Sequence, residues 1–447
     1  MTSVDRAREQ SGKPASPAPL QTLSVLQAAS MLVGIVVGIG IFKTPPIVAA
    51  NVDSEAAFLG VWLLGGLLTL IGALCYAELS STYPNAGGEY HYLTRAYGKG
   101  PSFLFSWGRM TVMQTGAIAA VAFAYGDYAV TLIPLGPYGA AIHGTIAVLV
   151  LTGLQLVGTE LSGRAQFWLT VATVAVVVLV AACGFIAGPQ PSASVPATGS
   201  GALGLAMVFI LLTYGGWNET AYVSGEVKNP ERNMVRVLVM GTVAVMAIYA
   251  LVNFALIYMM GLTGLRQASA AMTQPVEQVF GSAGGSILAL IVCIAALSTL
   301  NATIFTGARS TLALGQDFAP FGKLGHRSPS TSAPTNALLL QALIVLALIA
   351  FGSQARDGFQ TMVEYTAPVF WSFMLLIGIS LFLFRMREPN RVTAFRVPLY
   401  PITPLVFCLT CLYLLYSSVM YTGTGALVGI AILVAGVPVY LLGKSRA

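Results

Sequence analysis

Gly34 to Pro46 reads GIVVGIGIFKTPP, inside an apolar run long enough to cross a membrane. Gly34, Gly38, Gly40, Pro45 and Pro46 make poor helix, because glycine leaves the backbone free and proline removes a donor. Two readings are open at this stretch. Gly34 and Gly38 form a G-x-x-x-G, which lets two membrane helices pack closely. Alternatively the helix is interrupted, and its freed amides and carbonyls line a cavity, where non-helical backbone at membrane depth is tolerated.

Working outward, 56% of the 447 residues are hydrophobic and 9% are charged. A water-soluble fold cannot hide that much apolar surface. Apolar segments recur along the chain, and a span needs about 20 such residues. About twelve are expected, centred near Gly34, Leu67, Ala117, Val148, Ala175, Leu212, Ala247, Ala296, Val345, Leu375, Leu412 and Ile432. The chain therefore reads as an all-α polytopic membrane protein. Residues 1–20 read as a disordered tail, with no cleavable signal pattern.

Of the 22 Lys and Arg, an inward amino terminus leaves Lys43, Arg266 and Arg356 in outer loops and Arg109 within a span, with the rest on the cytoplasmic side. Short cytoplasmic loops collect cations in this way. Both termini are accordingly expected in the cytoplasm, in a cell membrane. The net charge of +6 reflects this topology and gives no case for nucleic acid. Cys75, Cys183, Cys293, Cys408 and Cys411 lie in apolar segments and read as packing residues. Cys408 and Cys411 form a C-x-x-C inside a span, without a second ligand pair for zinc.

The sixth span decides between the two readings of the opening stretch. Leu211 to Tyr222 reads LLTYGGWNETAY, again with adjacent glycines at membrane depth, beside polar Asn218 and Glu219. Interrupted first and sixth spans correspond if five spans repeat with inverted topology, and the site then lies between the repeats near the midplane. The repeats would cover about residues 21–188 and 203–388, followed by two further helices over about 398–444. Amides at a half-helix amino terminus suit a carboxylate, and carbonyls at a half-helix carboxyl end suit an ammonium or a metal cation. A site offering both suits a zwitterion such as an amino acid.

GIGIF (Gly38–Phe42), AELSSTYPNAGGEY (Ala77–Tyr90) and YGGWNETAYVSGEVKNPERN (Tyr214–Asn233) resemble the amino acid–polyamine–organocation transporters, especially the L-type amino acid transporter branch. The likeness extends over nearly the whole chain. It implies substrate-carboxylate binding at Gly38, Ile39 and Gly40, and the ammonium near the Val36 carbonyl. The carbonyls of Leu212, Thr213 and Gly215 would complete the pocket, with Asn218 along it and Trp217 adjoining. Glu78, Glu89 and Glu226 match family acidic positions, where structural or gating roles are expected.

Two departures from the family stand out. Leu212 takes the place of a gate aromatic found in many relatives. Thr173 takes the place of a fifth-span lysine that stands where sodium binds in sodium-coupled relatives. Ser298 and Thr299, with carbonyls of Gly34 and Val37, match positions that hold that sodium, although hydroxyls in membrane helices commonly bond helix carbonyls. Glu219 is functional by default at membrane depth, since an ionised carboxylate there costs about 2.5–3.5 kcal/mol. It is a candidate proton carrier, an attractor of cationic substrate, or one half of an ion pair. Arg109 is expected to snorkel to the interface.

His91, His143 and His326 are scattered without metal-ligand spacing, and no catalytic pairing or H-E-x-x-H suggests an enzyme. No cofactor is expected beyond protons or sodium as coupling ion. No cysteine falls in an outer loop, so a disulfide-linked subunit is not expected. The expected activity is amino acid transport by alternating access, proton-linked or by exchange. A sodium-coupled amino acid or polyamine transporter is the alternative, and a non-transporting sensor or subunit the reading from another class.

Overall fold

The computed structural model describes residues 23–444 except 86, 158–162, 190–201, 269–270, 329–332, 392 and 422–423. The expected tail, residues 1–20, lies outside them. Fourteen helices account for nearly all the described chain. In order they are α1 (Val25–Val36), α2 (Gly40–Ala50), α3 (Glu55–Thr82) and α4 (Gly88–Tyr97). Next come α5 (Lys99–Leu132), α6 (Gly139–Leu156), α7 (Gly163–Ala187) and α8 (Leu203–Thr213). The chain ends with α9 (Pro230–Gln267), α10 (Thr273–Asp317), α11 (Thr335–Gly352), α12 (Gly358–Arg387), α13 (Ile402–Met420) and α14 (Thr424–Lys444).

Among the described residues, ten helices are long and apolar enough to cross a membrane, or eleven when α1 and α2 count as one bent span. The remaining apolar segment is α8, whose 11 residues cover about 16 Å, roughly half a hydrocarbon core. Its chain continues through a 3₁₀ turn at Trp217–Val223. The first and sixth spans are thus the broken ones.

The first break has visible causes. Ser24 caps α1 in a capping box with Gln27, and Leu23 pairs with the segment after the sixth break through Leu23 N–H to the Glu226 carbonyl (3.0 Å) and Lys228 N–H to the Leu23 carbonyl (2.9 Å). After Val36 the chain leaves the helix over Val37–Ile39, and α2 sets off at 51° to α1. Pro46 lacks the N–H that would bond the Phe42 carbonyl; the Tyr128 hydroxyl of α5 donates to that carbonyl instead, at 3.1 Å.

The second break centres on Gly216, whose φ of 103° lies in the left-handed region. Only glycine takes that conformation without strain. A Cβ there would lie 2.9 Å from Cγ2 of Ile35, so the second break also packs against the end of α1. The helix α9 runs along α1 and α3, α8 lies against α2, and α10 runs beside α5. The two breaks are thereby held face to face inside the bundle.

Candidate functional site

A cavity of about 350 Å³ lies between the two breaks. One wall is Gly34, Ile35, Val36, Gly38, Ile39 and Gly40 of the first break. Leu212, Thr213, Gly215, Gly216 and Glu219 of the second break form another. α5 contributes Gln114, Ala117, Ala120 and Val121; α10 contributes Thr299, Ala302, Thr303 and Thr306; α12 contributes Phe359, Val363 and Thr366. The lining is mostly small, with hydroxyls from four helices.

At the first break Gly40 opens α2, so its amide belongs to the first turn, whose donors have no partner within the helix. That end carries partial positive charge. Val36 and Thr213 close α1 and α8, and their carbonyls carry the opposite sign. Two contacts lock the halves together. The hydroxyls of Thr44 and Thr213 are 2.6 Å apart, and a Cβ on Gly40 would lie 3.3 Å from Oγ1 and Cγ2 of Thr213. Gly40 therefore permits the close approach of α2 and α8.

Arg109 does not snorkel. A π-turn at Arg109–Met113 interrupts α5, and its guanidinium is buried in the bundle. Nη2 donates to both carboxylate oxygens of Glu219 at 2.9 and 3.0 Å, and Nη1 donates to the Tyr222 hydroxyl at 3.1 Å. The carboxylate of Glu89 stands 3.6 Å from Nη1. Two carboxylates close by keep the charge inside, where a paired guanidinium is less costly than one extended through lipid.

Glu89 also accepts from Tyr76 (2.7 Å), Asn218 (3.0 Å) and Tyr222 (3.1 Å). Asn218 is consequently drawn behind the cavity wall. It is buried, and its Oδ1 accepts from the Gly216 amide at 3.3 Å. Trp217 likewise turns away, its ring edge-on to Tyr76 at 4.8 Å between centroids. The left-handed Gly216 followed by a tight 3₁₀ turn exposes Glu219 to the cavity and hides its two predecessors.

Of the sodium candidates, Gly34 and Thr299 line the cavity, whereas Val37 and Ser298 are buried outside its lining. The Thr299 hydroxyl donates to the Ala295 carbonyl at 3.2 Å. Thr173 is buried in α7. The α7 side chain packed onto Gly34 is Thr170, one turn earlier, and a Cβ on Gly34 would collide with it. Of the acidic positions, Glu78 is bonded by Arg385 and by the Val397 amide, and so ties α3 to the segment after α12. Glu226 lines a second cavity.

That second cavity, of about 410 Å³, is lined by Arg109, Tyr222, Arg309 and Asp317 among others. It shares Glu219 and Thr306 with the first. The Arg109–Glu219 pair therefore stands between the two spaces.

The sequence matches the family model described as amino acid permease over residues 23–442. It is 28% identical to the serine/threonine exchanger SteT of Bacillus subtilis, over 95% of this chain and 97% of that protein. It is 28% identical to the mouse b(0,+)-type amino acid transporter 1, over 94% of this chain and 88% of that protein. It is 26% identical to the mouse large neutral amino acids transporter small subunit 2, over 94% and 80% respectively. With two broken spans around one cavity and this match from end to end, the chain belongs to the amino acid permease family, in its L-type branch, and is a multi-pass amino acid transporter.

Proposed function

We infer that the chain exchanges small neutral amino acids across the cell membrane by alternating access. The observation that carries this reading is the convergence of a helix-opening amide end at Gly40 and helix-closing carbonyl ends at Val36 and Thr213 on one cavity. The substrate carboxylate sits at the amides of Gly38, Ile39 and Gly40. Its ammonium sits toward the carbonyls of Val36, Leu212, Thr213 and Gly215. Opposite ends of helix dipoles facing each other across a few ångströms suit a zwitterion better than an amine or an acid alone.

The side chain of the substrate faces Gln114, Thr303, Thr306 and Thr366, beneath Leu212. A volume of about 350 Å³ is near the lower end for small-molecule sites, which favours short side chains with a hydroxyl. The serine/threonine exchange named for the Bacillus relative accords with that lining. Glu219 is bound by Arg109 from both oxygens, which leaves no free anion among the described residues lining the cavity to attract a polyamine. The pair serves as the inner gate of an exchanger, opening as the two five-span repeats rock about the site.

Thermal stabilisation of the purified protein by a panel of amino acids and the corresponding amines tests the substrate class. A ligand at 100 times its dissociation constant adds about 2.7 kcal/mol. Serine, threonine and alanine stabilise the protein, whereas ethanolamine and putrescine do not; stabilisation by the amines alone overturns the reading.

A further inference from the structure

Tyr249 lies in α9, outside the cavity lining, and is fully buried. Its hydroxyl is 2.8 Å from the Val36 carbonyl and 3.2 Å from the Thr213 carbonyl. Those are the last residues of α1 and α8. The negative ends of both half-helices thus point at one phenol. Its ring is wedged between Trp62 and Tyr214, with centroids 5.9 and 4.9 Å away. The hydroxyl therefore has little freedom to leave.

A phenol carries one proton and two acceptors compete for it. The Val36 carbonyl also accepts from the Gly38 amide at 2.7 Å, so both its lone pairs are engaged. An ammonium reaching Val36 must displace one of these donors. The displaced phenol has the Thr213 carbonyl already within reach.

We propose that Tyr249 is a positioning residue that ties the two helix breaks together through one shared proton. When the substrate ammonium takes the Val36 carbonyl, the phenol O–H turns to donate to the Thr213 carbonyl, keeping its proton, and tightens the second break. Arrival of substrate at the first break is thereby transmitted to the second without any bound cation. The inference rests on the proposed placement of an amino acid at the breaks.

Tyr249→Phe keeps the ring and removes the proton. In proteoliposomes the maximal rate of serine exchange is expected to fall about tenfold, the effect of one hydrogen bond lost from the tie, while half-saturation changes little because the free and the substrate-bound states each lose one bond. Replacing Tyr249 by p-aminophenylalanine restores N–H donors on the same ring and is expected to return the maximal rate close to the wild-type value. A role in ring packing alone would leave both variants alike. A wild-type maximal rate in Tyr249→Phe, or equal defects in the two variants, overturns the proposal. Gly40→Val is assayed in parallel for serine binding by thermal stabilisation. If Gly40→Val binds serine normally, the placement at the breaks fails; if it does not bind while Tyr249→Phe is normal, only the tyrosine proposal fails. If Tyr249→Phe does not fold, the p-aminophenylalanine protein decides: a maximal rate tenfold below wild type contradicts the shared-proton tie, and a near-wild-type rate supports it.

Discussion

Arg109 and Glu219, 110 residues apart in sequence, meet in a two-toothed ion pair between the cavity at the helix breaks and the second cavity. Removing one partner of a buried pair leaves a charge without compensation, at about 3–5 kcal/mol. Glu219 retains 30% of its side-chain exposure, so Arg109→Met is expected to cost less, on the order of 2–3 kcal/mol. Arg109→Met/Glu219→Gln should recover part of that loss. Thermal melting of the two single variants and the double gives the coupling energy directly. Additive losses would mean that the pair holds nothing together.

The backbone at the second break makes a separate demand. Gly216 has a φ of 103°, and a Cβ there meets Ile35. Gly216→Ala is expected to lose about 1–2 kcal/mol of stability through the left-handed conformation alone. It should also weaken serine exchange, because the break moves relative to α1. An unchanged melting temperature would show that the break relaxes freely.

Leu212 lines the cavity, at the place that the L-type resemblance assigns to a gate aromatic. Leu212→Phe should reduce uptake of leucine more than uptake of alanine, by about tenfold in the ratio, since one poorly accommodated group in an apolar pocket is worth about 1–3 kcal/mol. Competition of both amino acids against labelled serine measures this ratio. A proportional loss for both would remove size selection from Leu212.

Away from the spans, Glu388 accepts from Arg95 (2.6 Å), Arg391 (2.8 Å) and Tyr83 (3.1 Å). Partial burial pushes its carboxyl up, but those hydrogen bonds outweigh it and hold the group below the usual carboxylate range. A depressed folded-state value means that the contribution is complete above the ordinary value of 4.5 and fades as pH falls below it. The melting advantage of wild type over Glu388→Gln should thus be present at pH 6 and shrink toward pH 3.5. Because its partners Arg95 and Arg391 are exposed to solvent, which screens the pairs, the full effect is at most about 1 kcal/mol. An advantage that grows on acidification would reverse the sign of the argument.

Much of this arrangement was legible in sequence because broken membrane helices leave local marks. Paired glycines and a polar residue inside GIVVGIGIFKTPP and LLTYGGWNETAY marked both breaks, and Gly40, Leu212 and Thr213 do line the cavity. Asn218 and Trp217 do not take their expected places at the pocket because the left-handed residue Gly216 and the tight 3₁₀ turn after it redirect the chain, so sequence neighbours of the pocket need not face it. Arg109 leaves its expected place for another reason. A lone arginine in an apolar span favours snorkelling unless a carboxylate waits nearby, and the π-turn that aims it at Glu219 has no simple sequence signature. Tyr249 and Tyr128, which bond the freed carbonyls at the breaks, sit in ordinary apolar helices and only tertiary packing reveals their partners.

The central claim, that an amino acid is held by the backbone at the first break and exchanged, is tested most directly by serine counterflow in proteoliposomes containing wild type or Gly40→Val. A valine at position 40 presses on Thr213 and closes the approach to the Gly38–Gly40 amides. The account predicts that wild type takes up labelled serine when unlabelled serine is inside, with no requirement for sodium, and that correctly inserted Gly40→Val does not. Counterflow by Gly40→Val at the wild-type rate and half-saturation would contradict it.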